Sequence, residues 1–355
     1  MRRSSLLTTA LLTASFALAA GPTQAETIKI TAIGGPPPVA PNVKMLKNVF
    51  IPTVNKILKK GGGKYNIEWT QGYGQSLAKM TEVFEAIEEG IAHVGVVIVV
   101  MEESKLPMEQ YTFMIPFGAS DNKTMAIVGQ KVRQQVPEMD AYWGKFNQEI
   151  LSMGAEAPWH IYTKFPITSY KDLKGHKIGA SGSTGNLLRG TGAVVVNDNM
   201  IGAFNNIKNG LYDGYPGSVG LGFVYKIFAA APHITEVNFG ARMGSGISVN
   251  KKEFAKLPQP VQKAFRIAAK AWTGAYQKVE NILEHKFMGI MKKKGATITK
   301  FDAAQRREWA NALPNIPKEW ADGLDKKGMP GTKILKTYMA ELRAAGVTPV
   351  RDWDK

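Results

Sequence analysis

The sequence predicts an α/β protein of two lobes, with a long helix spanning both and a ligand cleft between them. Three observations carry this expectation. Segments patterned as strands and as helices alternate in two successive units, the signature of sheets connected by helical crossovers. No proline follows Pro260 until well past Lys294, and apolar residues recur there at helical spacing. At 355 residues and 44% hydrophobic content, the chain has material for two cores rather than one.

The elements follow in order. Thr27 to Ile33 alternates with period two and reads as a strand, and Gly34 to Pro38 is a loop. A helix is expected from Asn42 to Lys60, closed by Gly61-Gly62-Gly63, and Tyr65 to Thr70 is a second strand. Leu77, Met80, Phe84 and Ile87 predict a helix over Gln75 to Glu89, with Gly90 as its C-terminal cap. Val94 to Val100 is apolar on both parities, as in a parallel strand covered on both faces.

A second unit opens near Gly154, with strands at Trp159 to Lys164 and His176 to Ala180 separated by a turn over Ser169 to Gly175. A helix start is expected at Gly185 to Gly190, then Ala193 to Asn197, a helix around Met200 to Asn209, and Leu211 to Gly214. Ser245 to Asn250 returns to the first lobe. Val261, Phe265, Ala268, Trp272, Tyr276, Val279 and Leu283 then mark a helix of about 35 residues, about 50 Å long at 1.5 Å per residue. Helices near Ala303 to Ala312 and Lys333 to Ala345 close the chain. The expected division is a leader at 1–25, lobe one at 26–153 and 245–285, and lobe two at 154–244 and 295–340. A connecting helix at 258–294 and a tail at 341–355 complete it.

Arg2 and Arg3 precede an apolar stretch from Leu6 to Ala20 and small residues ending at Ala25, the pattern of a secretory signal peptide. That stretch is too short to span a bilayer, which takes roughly 20 apolar residues. The export route, general or twin-arginine, is left open. Cleavage would lower the formal charge from +16 to +14, because the leader holds two arginines and no acid. The lysines are scattered singly or in short runs such as Lys292 to Lys294, without the basic stripe of a nucleic-acid binder. They suit a solvated surface, with a possible steering role for an anionic solute.

The chemistry of catalysis is sparse. There is no cysteine, so neither a disulfide framework nor thiol chemistry is available. His93, His160, His176, His233 and His285 form no pair at metal-ligand spacing, and no serine stands in a G-x-S-x-G elbow. No metal or organic cofactor is therefore expected. Gly179 to Gly185 fits neither a P-loop nor a dinucleotide fingerprint. Its hydroxyls Ser181, Ser183 and Thr184, with Asn186 and a helix start, fit an anion cradle or an ordinary N-cap equally well.

Three segments carry a family resemblance. Lys79 to Gly90 followed by an apolar strand and Met114-Ile115-Pro116-Phe117 resembles the first lobe of the DctP-type solute-binding proteins of tripartite ATP-independent periplasmic (TRAP) transporters. Ile167 to Ile178, containing Asp172-Leu173-Lys174-Gly175, resembles that family's DLKG-x-KIR segment. Ala203 to Gly214 resembles its Y-x-ALQ-x-G-x-VDG segment at the expected distance. The resemblance implies a periplasmic receptor, not an enzyme, that gives its solute to a small and a large membrane subunit.

The departures bear on specificity. Gly179 stands where the family has the arginine that pairs bidentately with a ligand carboxylate, a geometry that lysine does not reproduce. Trp159 stands where some members carry a second arginine, and Tyr215 to Ser218 supplies neither the asparagine nor the metal-binding carboxylate that can follow Gly214. The resemblance implies that Pro36, Tyr73 and Gln75 face the cleft and that Met200 is an apolar pocket residue. Trp159 and Tyr215 are expected as flat walls, and the Ser181 to Asn186 loop as the holder of the acidic group. Arg189 is either a substitute clamp or a surface residue.

The expected function is capture of a small organic acid, aromatic or otherwise apolar-bodied, by a monomeric periplasmic protein that binds no nucleic acid. A receptor of the tripartite tricarboxylate type, a ligand sensor and an enzyme on a two-lobed scaffold are the competing readings. N-terminal sequencing of the protein from a periplasmic fraction is expected to start at Glu26; retention of residues 1–25 would contradict the leader assignment.

Overall fold

The computed structural model describes residues 25–355, so all of the expected leader but Ala25 lies outside the described residues. Eleven strands are described: β1 Glu26–Gly34, β2 Tyr65–Tyr73, β3 Val94–Ile98, β4 Gln148–Glu156, β5 Trp159–Thr163, β6 Lys177–Ala180, β7 Val194–Asn197, β8 Gly214–Ser218, β9 His233–Glu236, β10 Arg242–Asn250 and β11 Thr297–Lys300. The first sheet has the order β2-β1-β3-β10-β4. Its β1 is parallel to β2 and β3, whereas β10 runs antiparallel to β3 and β4. The second sheet has the order β11-β9-β5-β8, and β6 and β7 form a separate parallel pair. A hydrogen bond from the Asp213 amide to the Lys177 carbonyl (2.7 Å) joins that pair to the start of β8.

The two sheets are joined twice by the backbone. Only Ala157 and Pro158 separate β4 from β5, and the return from β9 to β10 passes through Val237 to Ala241. The crossings lie against each other: the Trp159 amide donates to the Gly240 carbonyl (3.3 Å) and the Phe239 amide to the Trp159 carbonyl (2.9 Å). Two short strands in contact are a natural hinge, because few dihedral changes there rotate one sheet against the other.

The third connection is the helix Gln259–Lys293, 35 residues long as its spacing predicts. Its Val261, Phe265, Ala268, Trp272 and Tyr276 pack in one core with β1, β3 and β10 residues such as Ile30, Val94 and Ile247. Its Met291, with Phe287 and Met288, packs in another with Tyr162, Tyr215 and Ile234. One amphipathic rod thus buries its two ends in different cores.

Several sequence expectations need correction. The helix expected over Asn42 to Lys60 exists but widens to a π turn at Leu46–Phe50 between Pro41–Met45 and Ile51–Lys60. Pro52 is the cause, since it offers no N–H to the carbonyl four residues back and its ring would collide there. The helix expected from Gln75 starts only with a 3₁₀ turn at Met80–Glu82 and runs over Val83–Glu88. Gly74 and Gln75 both take positive φ (62° and 69°), which no helix accommodates, and Leu77 is exposed. At Gly182–Leu188 the chain forms a 3₁₀ helix, not the start of an α-helix. The strand at Val94 ends at Ile98 and is parallel to β1 but antiparallel to β10.

Trp272 is fully buried, stacks on Tyr276 (5.0 Å between centroids) and donates its indole N–H to the Asn42 carbonyl (2.9 Å). Trp272→Ala is expected to lower unfolding stability by roughly 3–5 kcal/mol. Urea denaturation checks this, and a loss below about 1 kcal/mol would mean that the long helix is not anchored there.

Candidate functional site

A cavity lies beside the hinge, where elements from both sheets and the long helix converge. Pro36, Asn42, Met80, Ile98, Val100 and Glu156 form its first-sheet side. Trp159, Ser181, Met200, Tyr215, Ser218, Leu221 and Tyr225 form the opposite side, and Tyr276 and Glu280 of the long helix close it. The loops after parallel strands β1, β3 and β6 all open onto it, the usual place for ligands in such sheets.

Glycines shape the entry of each wall. A Cβ on Gly35 would stand 2.6 Å from the Met80 Cα, so only glycine lets the Pro36 loop and Met80 approach so closely. Asn42 is fixed by an amide donation to Ser245 Oγ (3.1 Å) and by accepting the Val43 N–H (2.8 Å). Ser218 accepts the Leu221 N–H (3.3 Å), capping the short helix Val219–Val224 that carries Leu221.

The polar end of the cavity is built at the hinge. Glu156 is the last residue of β4 and pairs in register with Arg242, the first of β10. The ladder skips Gly244, which is a β-bulge between Met243 and Ser245. A Cβ there would lie 1.8 Å from Glu156 Oε1, so the bulged glycine makes the space that the carboxylate fills. Trp159 donates its indole N–H to Glu156 Oε2 (3.3 Å), and Glu280 Oε2 lies 3.4 Å from the Ala157 amide of the same crossing.

Burial governs the charge of both carboxyls. It pushes Glu156 up to about 7, opposed by the Trp159 hydrogen bond and the Arg242 charge. Burial pushes Glu280 up to about 8; the negative charges of Glu156 and Glu284 add to that, and the Ala157 amide opposes it. Arg242 is fully buried, and burial lowers it to about 10. Its guanidinium lies 5.4 Å from the Trp159 ring centroid and 5.2 Å from that of Phe113, and donates to the Thr112 carbonyl.

Of the residues expected from sequence, Pro36, Trp159, Ser181, Met200 and Tyr215 line this cavity. The others lie elsewhere. A Cβ on Gly179 would meet the Tyr212 ring at 2.6 Å, so this position packs under an aromatic side chain and has no room for an arginine. Thr184 donates its hydroxyl to the Ser181 carbonyl (2.6 Å) in a local cap, and Asn186 donates to Met114 Sδ (3.4 Å). Ser183 is buried, and the Glu103 carboxylate lies against its turn, with Oε2 2.5 Å from where a Gly182 Cβ would stand. Burial raises Glu103, and the nearby Ser183 opposes this, although the Ser183 hydroxyl is itself buried without a hydrogen-bond partner. The loop thus faces an acid from this chain. Tyr73 donates to Gln71 Oε1 (3.1 Å) at the end of β2, and Gln75 is exposed beyond it. Arg189 is a surface residue, forked onto Glu319 at 2.6 and 3.3 Å.

Sequence reading missed Asn42, Glu156, Ser218, Tyr225, Tyr276 as a lining residue, and Glu280. Glu280 had a visible signal: it continues the buried stripe Trp272, Tyr276 at the next i+4 position, where an acid is out of place. Glu156 had none, because its environment is made by β10, more than eighty residues away.

A family model, the DctP family of bacterial extracellular solute-binding proteins, family 7, matches residues 53–322. The chain belongs to this family. Among solved structures, a pyroglutamic acid-binding extracytoplasmic solute receptor of Bordetella pertussis shares 21% identity at a TM-score of 0.77, covering 88% of this chain and 100% of that one. A TRAP solute-binding protein of Rhodoferax ferrireducens, in complex with copurified benzoate, shares 16% at 0.76, covering 90% and 98%. A marine metagenome TRAP protein specific for pyroglutamate shares 18% at 0.75, covering 89% and 99%. A search of curated proteins gives no match. The two-lobed fold expected from the sequence is that of these receptors.

The buried acids make stability depend on pH. Their folded values exceed the ordinary 4.5, so between pH 4.5 and 8 the folded state holds more protons than the unfolded one. Stability therefore falls as pH rises through that window. Arg242 stays charged throughout it, and burial holds the Tyr276 hydroxyl well above it. The melting midpoint of the solute-free protein is expected to drop by several degrees between pH 5.5 and 8.5, because the two raised carboxyls together amount to several kcal/mol at about 1.4 kcal/mol per pH unit. Glu280→Gln should flatten that slope; a slope unchanged in the variant would place the titrating group elsewhere.

Proposed function

We propose that the protein is a periplasmic TRAP-type receptor that captures a compact, apolar-bodied organic acid in the hinge cavity and delivers it to the two membrane subunits of its transporter. The observation that carries this is the cavity itself, walled by both sheets and by the one helix that reaches both cores. Closure of the hinge would bring Pro36, Asn42 and Met80 toward Trp159, Met200 and Tyr215, and opening would release the solute to the membrane partner. The acids held by the similar receptors support the solute class. The apolar and aromatic walls support the body, since such sites fix orientation with few polar groups.

Membership of a family of solute-binding proteins supports binding as the activity. The polar side chains of the cavity are acids, amides and hydroxyls, and among the described residues no histidine lines it. The protein acts in this reading as a monomer, with exchange at the membrane as its only partner step.

Trp159→Ala is expected to weaken binding of the solute by roughly ten- to a hundredfold, the loss of about 1.5–3 kcal/mol of buried apolar contact. Thr184→Ala, which removes a hydroxyl engaged in a local cap, should leave affinity within about twofold. Calorimetric titration of both variants against a small-acid panel checks this, with small-angle scattering to follow closure. Unchanged affinity in Trp159→Ala, or binding without a fall in radius of gyration, would remove the cavity from the role.

A further inference from the structure

The charge in the cavity has one sign. Two carboxylates line it, and among the described residues no lysine, arginine or histidine does. Glu156 makes no ion pair among the described residues, but Arg242, its partner across the β-ladder, is near enough for its charge to draw the carboxyl down. Glu280 is in no ion pair among the described residues. His160 has its ring nitrogen 3.9 Å from Glu284, one turn further along the helix. With both carboxylates and the guanidinium ionised, the group carries one net negative charge.

A single negative charge in an enclosed, mostly apolar site is costly unless a proton or a cation neutralises it. The rest of the lining offers a reason to expect a cation. Trp159, Tyr215, Tyr225 and Tyr276 surround the acids, and aromatic faces attract positive charge. Arg242 already uses Trp159 in this way from the outer side, its guanidinium 5.4 Å from the ring.

We infer that the solute carries one positively charged nitrogen, a protonated amine or a quaternary ammonium, paired with Glu280 among the aromatic side chains of the cavity. This rests on the reading of the cavity as the solute site, and it narrows the solute class. A compound bearing both a carboxylate and such a nitrogen meets both descriptions. Glu280 is then the specificity-determining residue: it rewards a cation by direct pairing and rejects a lone anion by like-charge repulsion.

The test is a thermal-shift and calorimetric comparison of the full mature protein at pH 8 against matched probes. Benzyl, cyclohexyl and propyl bodies are each presented as a primary ammonium, a trimethylammonium, an alcohol, a carboxylate and an α-amino acid. Stabilisation confined to probes that bear a cationic nitrogen is the expected result. Glu280→Gln should weaken them at least tenfold, and Glu156→Gln, whose charge Arg242 already balances, less so. If carboxylates without a nitrogen bind best, lose binding in Trp159→Ala and bind equally or better in Glu280→Gln, the cationic assignment is overturned while the cavity remains the solute site. If no probe stabilises the wild type, the cationic assignment falls; if in addition a solute found by wider screening is insensitive to Trp159→Ala, the cavity reading falls with it.

Discussion

Between Glu156 and Trp159 the chain leaves one sheet for the other, and between Glu236 and Arg242 it comes back. The hydrogen bonds between Trp159 and the Phe239-Gly240 segment hold these two passages together, and the rest of the molecule is arranged about them. One buried cluster runs through this region, joining Ile33, Val97 and Met153 of the first sheet to Trp159, Ile161 and Phe239 on the other side. The long helix crosses the same region. Its carboxylate Glu280 reaches the Ala157 amide, so a residue of the helix is tied to the very segment about which the lobes would turn.

That arrangement places charge where it is hardest to keep. Glu156 and Arg242 face each other at the ends of β4 and β10, and Gly244 bulges to make room for the acid. A buried ion pair contributes little net stability once its desolvation is counted, whereas leaving one charge alone is expensive. Glu280 would be such a charge if ionised, and burial with its acidic neighbours pushes it up to about 8, so a proton neutralises it below that pH. In the proposed reading a bound solute takes over that role, which couples occupancy to the proton state of the cavity. Trp159 connects these effects. It begins β5, donates to Glu156, lies near the Arg242 guanidinium and lines the cavity.

The loop after β6 has a carboxylate of this chain beside it: Glu103, delivered by the segment after β3, lies against the turn at Gly182 and Ser183. The lack of a side chain at Gly179 reads as a lost arginine when compared with relatives, but in three dimensions this glycine is the floor on which Tyr212 lies. Tyr212 in turn donates to Asp198, and Tyr215 to the Asp198 carbonyl, fixing the wall that contains Tyr215.

The sequence by itself determined the repeating order of strands and helices, the 35-residue helix and the segments that identify the family, because periodicity and local caps act over a few residues. It also gave the apolar and aromatic members of the cavity, Trp159, Met200 and Tyr215, through their places in those segments. It could not show that Pro52 widens a helix into a π turn or that positive φ at Gly74 and Gln75 delays the next one, since both depend on how competing local preferences are resolved by packing. Only the tertiary structure decided which polar groups share the cavity. Glu156, Arg242 and Glu280 come from three distant parts of the chain, and their protonation is set by burial and by one another, quantities that exist only once the two sheets and the long helix have closed around them.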